Sequence, residues 1–149
     1  MIEIAEPKIQ SEDILILLDD DFNSSNVCIV TGASSGIGRA TAVAAAANNL
    51  TTVGLDINEE EGRRTQQMAK DKGGRMVFIR TDLTRDEDLE RAVHEAGQLG
   101  QIKFLANIAG LQHIDSVENF PMEKYDLMQR IMLRAPFLLS KLCIPHMKT

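Results

Sequence analysis

The sequence predicts an α/β protein, a doubly wound parallel sheet with helices on both faces, and two observations carry that prediction. From residue 27 onward, short β-rich runs alternate with longer segments of helical spacing, the pattern of strand–helix–strand units. The first strand-to-helix join reads TGASSGIGRA, with three glycines between the apolar run Val27–Val30 and an alanine-rich stretch. Glycine costs conformational entropy and brings no side chain to pack, so this concentration predicts close approach of something to the backbone. A helix N-terminus offers unpaired N–H groups and the positive end of the helix dipole, which suits a phosphate.

The strands are expected at Val27–Thr31, Thr51–Asp56, Arg75–Arg80 and Ile102–Ala106, each followed by turn or capping residues. The first helix starts near Ile37, with Ile37, Ala40, Thr41 and Ala44 read as a small-residue face pressed on the sheet. Asn58 and Glu61 form an N-x-x-E start for the second helix, and Thr84 with Glu87 announces the third, where Leu89, Ala92, Val93 and Ala96 keep helical spacing. A fourth helix begins after Pro121 and is apolar nearly all round from Ile131 to Ile144, so it calls for a partner beyond the sheet: another helix or another subunit. Residues 1–26 stand outside the alternation as an N-terminal extension, with an extra strand expected through Asp13–Leu18.

At 149 residues the chain fits one domain, residues 27–149, preceded by that extension. A net charge of −6 argues against nucleic acid or an anionic membrane as partner, since either needs clustered Lys and Arg. The run Ile14–Leu18 is too short for a signal sequence or a membrane span. Cys28 and Cys143 lie far apart without metal-ligand spacing, which fits buried thiols in a reducing cytoplasm. The acidic triplets 59–61 and 86–88 fall in first turns of helices, where negative charge complements the dipole, and no metal site is expected.

Thr31-Gly32-Ala33-Ser34-Ser35-Gly36-Ile37-Gly38, between a strand and a helix, resembles the glycine loop of the short-chain dehydrogenase/reductase family. The resemblance implies a Rossmann fold that binds NAD or NADP. Asp56 ends the second strand at about the distance, some 20 residues, where a carboxylate meets the adenosine ribose hydroxyls. It would repel a 2′-phosphate, and Ser35 and Ile57 stand where NADP-preferring members often carry a cation, so NAD is the expected cofactor. A strand-end cap is the plainer role for Asp56. Asp82 and Leu83 follow the third strand, where the resemblance implies contact with adenine, and helix capping is compatible with it. Asn107-Ile108-Ala109-Gly110 is similar to the family's N-x-A-G, in which the asparagine ties the sheet together and the small residues leave room for the nicotinamide ribose.

The stretch from Ala109 to Asp126 looks like the 3-hydroxybutyrate dehydrogenase branch, which implies that Gln112 donates to a substrate carboxylate; a solvated loop glutamine is the alternative. The resemblance implies hydride transfer between NAD and a secondary alcohol or ketone, such as a short hydroxy acid. It also implies a continuation into a fifth strand, and a homo-oligomer through the fourth helix. The family's upstream serine and Tyr-x-x-x-Lys are not found: Tyr125 is the only tyrosine and Gln129 follows it at the lysine spacing. The 149 residues alone are therefore expected to be inactive. Met132 stands where most members have an asparagine of the catalytic set, whose backbone carbonyl holds a relay water. Pro136 has no N–H for the Met132 carbonyl, which predicts a kink from Met132 to Pro136. A non-catalytic dinucleotide-binding or interaction module is the second reading.

Overall fold

In the computed structural model, residues 8–148 are described; residues 1–7 of the extension lie outside them. Strands β1 (Asn26–Thr31), β2 (Thr51–Asp56), β3 (Arg75–Arg80) and β4 (Gln101–Ala106) form one parallel sheet in the order β3-β2-β1-β4. Helices α1 (Gly36–Ala47), α2 (Glu59–Asp71) and α3 (Asp86–Gly97) make the crossovers. After β4 a loop leads to α4 (Met122–Gln129), a π-helical turn (Arg130–Arg134) and α5 (Ala135–Met147).

Strand periodicity divides β1 between two cores. Val27 and Ile29 face α3 and α5, packing with Val53, Leu55, Leu89, Leu139 and Cys143. Cys28 and Val30 face α1 and α2, packing with Val43, Ala46 and Ala69. A strand covered on both sides reads as a continuous apolar run, as VCIV does. Each fully buried Ile, Leu or Val contributes about 1.5–3 kcal/mol from burial.

Leu89, Ala92, Val93 and Ala96 are buried as their spacing predicts. The face expected for α1 is corrected: Gly38, Arg39, Ala42, Val43 and Ala46 point inward, while Ile37 is 76% exposed. Small residues fill almost every position from Ala40 to Ala47, so apolar periodicity selects no face there. Gly38 decides instead, because a Cβ on it would lie 2.0 Å from the Gly32 carbonyl oxygen.

Asn58 caps α2 by accepting from the Glu61 N–H at 3.2 Å. Thr84 does not cap α3; Arg85 is the N-cap residue and the Thr84 hydroxyl turns back to Asp82 Oδ1 at 2.7 Å. No strand forms at Asp13–Leu18: Ser11–Asp13 is a short 3-10 turn, and the chain then runs extended without a backbone partner strand. Its amide groups are instead met by a side chain, as Asn48 Oδ1 accepts from Leu17 N at 2.7 Å and Nδ2 donates to Leu15 O at 2.9 Å. The fourth helix is interrupted where a kink is predicted, as the widened turn Arg130–Arg134, and Pro136 opens α5. Among the described residues α5 buries Ala135, Leu139 and Cys143, and leaves Leu133 and Phe137 on the preceding turn and first helical turn 66% and 71% exposed.

Candidate functional site

The carboxyl ends of the strands, the start of α1 and the end of α4 enclose a groove of about 720 Å³. It lies where the strand order reverses direction beside β1, the place at which open α/β sheets bind ligands. Gly32, with φ +71°, leaves β1 and donates to Leu55 O at 2.9 Å; a Cβ there would come within 2.9 Å of Ala109 Cα. Gly36 adopts φ +51° and a Cβ there would meet open space. Ser35 is the α1 N-cap residue but makes no side-chain cap bond, and the first turn holds no acidic residue. The first turns of α2 and α3 each carry three acidic residues. Thus α1 keeps an uncompensated positive pole at the groove, lined there by Ser35, Gly36, Ile37 and Gly38.

Asp56 lines the groove at the end of β2, oriented by two backbone donors: Ser34 N to Oδ2 at 3.2 Å and Asn58 N to Oδ1 at 3.0 Å. Ile57 lies beside it on the groove wall. Ser34 itself is off the wall; it is 3% exposed and its hydroxyl donates to Asn58 O at 2.8 Å, so it braces Asp56 from behind. Arg39, 3% exposed, points to the other side of α1, where its guanidinium donates to Ser34 O, Glu61 and, at 3.0 Å, Thr65 Oγ1. The hydrogen bond from Arg39 holds the Glu61 carboxyl below its ordinary range.

Asp82 and Leu83 line the next part of the groove. Asp82 Oδ1 accepts from Thr84 N at 2.9 Å, and Asp82 N donates to Asp88 Oδ2 at 2.9 Å, the bond that chiefly lowers the Asp88 pKa. At the far end Ala109 and Gly110 line the wall, while Asn107 is exposed and makes no side-chain hydrogen bond among the described residues. The bracing there comes from Thr31, 2% exposed, whose hydroxyl accepts from Ile108 N at 2.9 Å and Ala109 N at 3.0 Å. Gln112 is exposed and off the groove wall; its neighbour Leu111 is on it. Met132, half exposed in the π turn, brings its methyl to 3.9 Å from where a Gly110 Cβ would stand.

Leu127 and Ile131 are site residues that the motifs do not mark, and Thr31, the first residue of the glycine-loop motif, has a bracing role that the motif does not reveal. Leu127 and Ile131 supply an apolar wall from α4 and the π turn, and their i, i+4 spacing is the only local signal that pairs them. Among the described residues, no cluster of His, Cys, Asp and Glu could hold a metal ion.

A parallel sheet with a glycine-bound helix pole at its reversal point and a braced carboxylate on the next strand defines a dinucleotide-binding α/β protein. The chain belongs to the short-chain dehydrogenase family, whose sequence profile matches residues 26–149. It is 34% identical over 123 residues to an uncharacterised oxidoreductase of Thermotoga maritima, covering 82% of this chain and 48% of that protein. It is 32% identical to an NAD-dependent glycerol dehydrogenase of Listeria innocua (83% of this chain, 48% of that one). It is 28% identical to a D-beta-hydroxybutyrate dehydrogenase of Cupriavidus necator (84% and 49%). A metagenomic short-chain oxidoreductase solved in complex with NADP superposes with a TM-score of 0.80 at 25% identity, covering 84% of this chain and 57% of that one. The chain thus spans about half the length of the curated relatives it matches.

Proposed function

We propose that the protein is an NAD-dependent oxidoreductase that moves hydride between NAD and a secondary alcohol or its ketone, with a short hydroxy acid such as 3-hydroxybutyrate as substrate. The observation that carries the cofactor choice is Asp56, held on the groove by two backbone N–H groups with uncharged Ser35 and Ile57 beside it. A carboxylate so placed accepts from ribose hydroxyls and repels a 2′-phosphate. The glycine cradle fits the pyrophosphate, because the space beyond Gly36 is open and the α1 pole is uncapped. Asp82 and Leu83, on the groove wall, would hold the adenine, and Ala109 and Gly110, at its far end, would leave room for the nicotinamide ribose. When bound, the nicotinamide supplies or takes up the hydride. The hydroxybutyrate and glycerol dehydrogenases among the relatives support an alcohol or hydroxy-acid substrate.

These residues bind and orient; none of them is placed to move the proton. Tyr125 is about half exposed on α4 and off the groove wall. Purified Met1–Thr149 is therefore expected to bind NADH yet fail to oxidise 3-hydroxybutyrate, and measured turnover would overturn this assignment of roles. Fluorescence titration should show NADH bound tighter than NADPH by about 1–3 kcal/mol, roughly 5- to 150-fold, with Asp56→Ala narrowing the gap. Equal affinities in the unmodified chain would refute the NAD reading. Met132, in place of the usual asparagine, favours a second reading as a nucleotide-binding module without turnover. In a longer protein that adds a serine and Tyr-x-x-x-Lys to these residues, turnover with Met132 in place, raised by Met132→Asn, decides for the enzyme, and no turnover decides for the module.

The exposed Leu133, Phe137 and Ile144 support association of copies through the fourth helix, and loss of dimer in sedimentation on Phe137→Glu is the expected outcome. No helix among the described residues is long and apolar enough to cross a membrane. Free, buried Cys28 and Cys143 support a cytoplasmic protein.

A further inference from the structure

Residues 8–22 are not part of the family match, which starts at residue 26, yet they are docked. Ile9, Ile14 and Phe22 pack against the core of Cys28, Val30, Val43 and Ala46, and the Phe22 ring lies 5.4 Å from Phe104 on β4. Asn48, the C-cap residue of α1 and 7% exposed, commits its whole amide to the segment and its own helix. Oδ1 accepts from Leu17 N, and Nδ2 donates to Leu15 O and Ala44 O, all within 2.9 Å. Lys72 at the end of α2 donates to the Ser11 hydroxyl at 3.2 Å. Beneath the segment runs a second cavity of about 580 Å³, floored by Ala40, Thr41 and Ala44, the α1 face that points away from the sheet.

Two contacts join this layer to the candidate site. Gly36 lines both cavities, so the first turn of α1 is the partition between them. Phe22 also shares its core with Ile108, a residue of the groove wall and of the loop that Thr31 braces. We propose that residues 8–22 form a strap, latched by Asn48, that orders the glycine loop and the β4 loop, and so sets the affinity of the groove for its dinucleotide. The dinucleotide part of this statement rests on the function proposed above; the ordering part does not. A strap that favours the bound arrangement of the loops must in turn be held more firmly when ligand binds, because coupling between two sites is reciprocal.

The test is amide hydrogen exchange on the unmodified chain, on Leu17→Pro, which removes the N–H given to Asn48 and fixes φ at that position, and on Phe22→Ala, with β2 amides as the folding control. Without nucleotide, both variants should exchange faster at residues 14–22 and, several-fold, at Gly32–Arg39 and Ile108–Gly110. Their NADH dissociation constant should rise about fivefold. NADH should slow exchange at residues 14–22 in the unmodified chain. A strap that opens in the variants while loop exchange and NADH affinity stay unchanged overturns the proposal. So does a strap whose exchange neither substitution alters. If NADH fails to bind the unmodified chain, the dinucleotide reading falls, and the exchange of the unliganded loops still decides the ordering claim.

Discussion

Gly38 and Gly36 are both glycines of one loop, but different physics fixes each. At Gly38 a methyl group would lie 2.0 Å from the Gly32 carbonyl oxygen, so Gly38→Ala must push α1 off the loop. It should cost about 1–3 kcal/mol of stability, read by denaturant unfolding, and abolish most NADH binding. At Gly36 the space is open and only φ +51° resists a side chain, so Gly36→Ala should cost about 1–2 kcal/mol, with the methyl obstructing the ligand rather than the fold. The glycine spacing was legible in the sequence because it is local. Thr31 and Ser34 were not legible as braces, since their partners Ala109 and Asp56 lie far along the chain and only the fold brings them together. The expectation for Gln112 came from its place after N-x-A-G; the residue is exposed and does not line the groove.

Between elements, Arg39 is the tie. It spans α1 and α2 from a buried position, and every acceptor it leaves loses a charged donor. Arg39→Ala should destabilise by about 2–3 kcal/mol in urea unfolding, less than for a fully buried pair because Glu61 retains access to water. By contrast Arg134 and Asp86, which join the π turn to the start of α3, are both well exposed, and Asp86→Asn should leave the urea midpoint at neutral pH almost unchanged. Strand positions were readable almost to the residue, because each β-rich run is bounded sharply by turn residues, in β1 and β2, buried on both faces, as in the less covered β3 and β4. The face of α1 was not, since an alanine-rich helix gives period-finding nothing to hold. Proline at 136 pointed to a disturbed fourth helix because it removes one specific hydrogen bond; the π turn Arg130–Arg134 lies just before it and overlaps the predicted segment.

Across the whole molecule, acid should find the weak point in the carboxylates. Glu61 is lowered chiefly by its bond from Arg39, Asp86 by Arg134 and Asp88 by the Asp82 N–H. A folded-state pKa below the unfolded value stabilises the fold above the ordinary values, 4.5 for Glu61 and 3.8 for the aspartates, and that stability is lost as pH falls through the lower folded values. The Tm should therefore hold steady from neutrality to about pH 4.5 and drop below it, and a flat Tm down to pH 3 would contradict this account. The acidic first turns of α2 and α3 have a kinetic counterpart. They cancel two helix poles and leave the uncompensated pole of α1 inside a chain of net charge −6. An anionic nucleotide diffusing in is repelled at long range and attracted only over the last few ångströms. Added salt, which screens the distant repulsion first, should thus quicken its association while loosening its final hold.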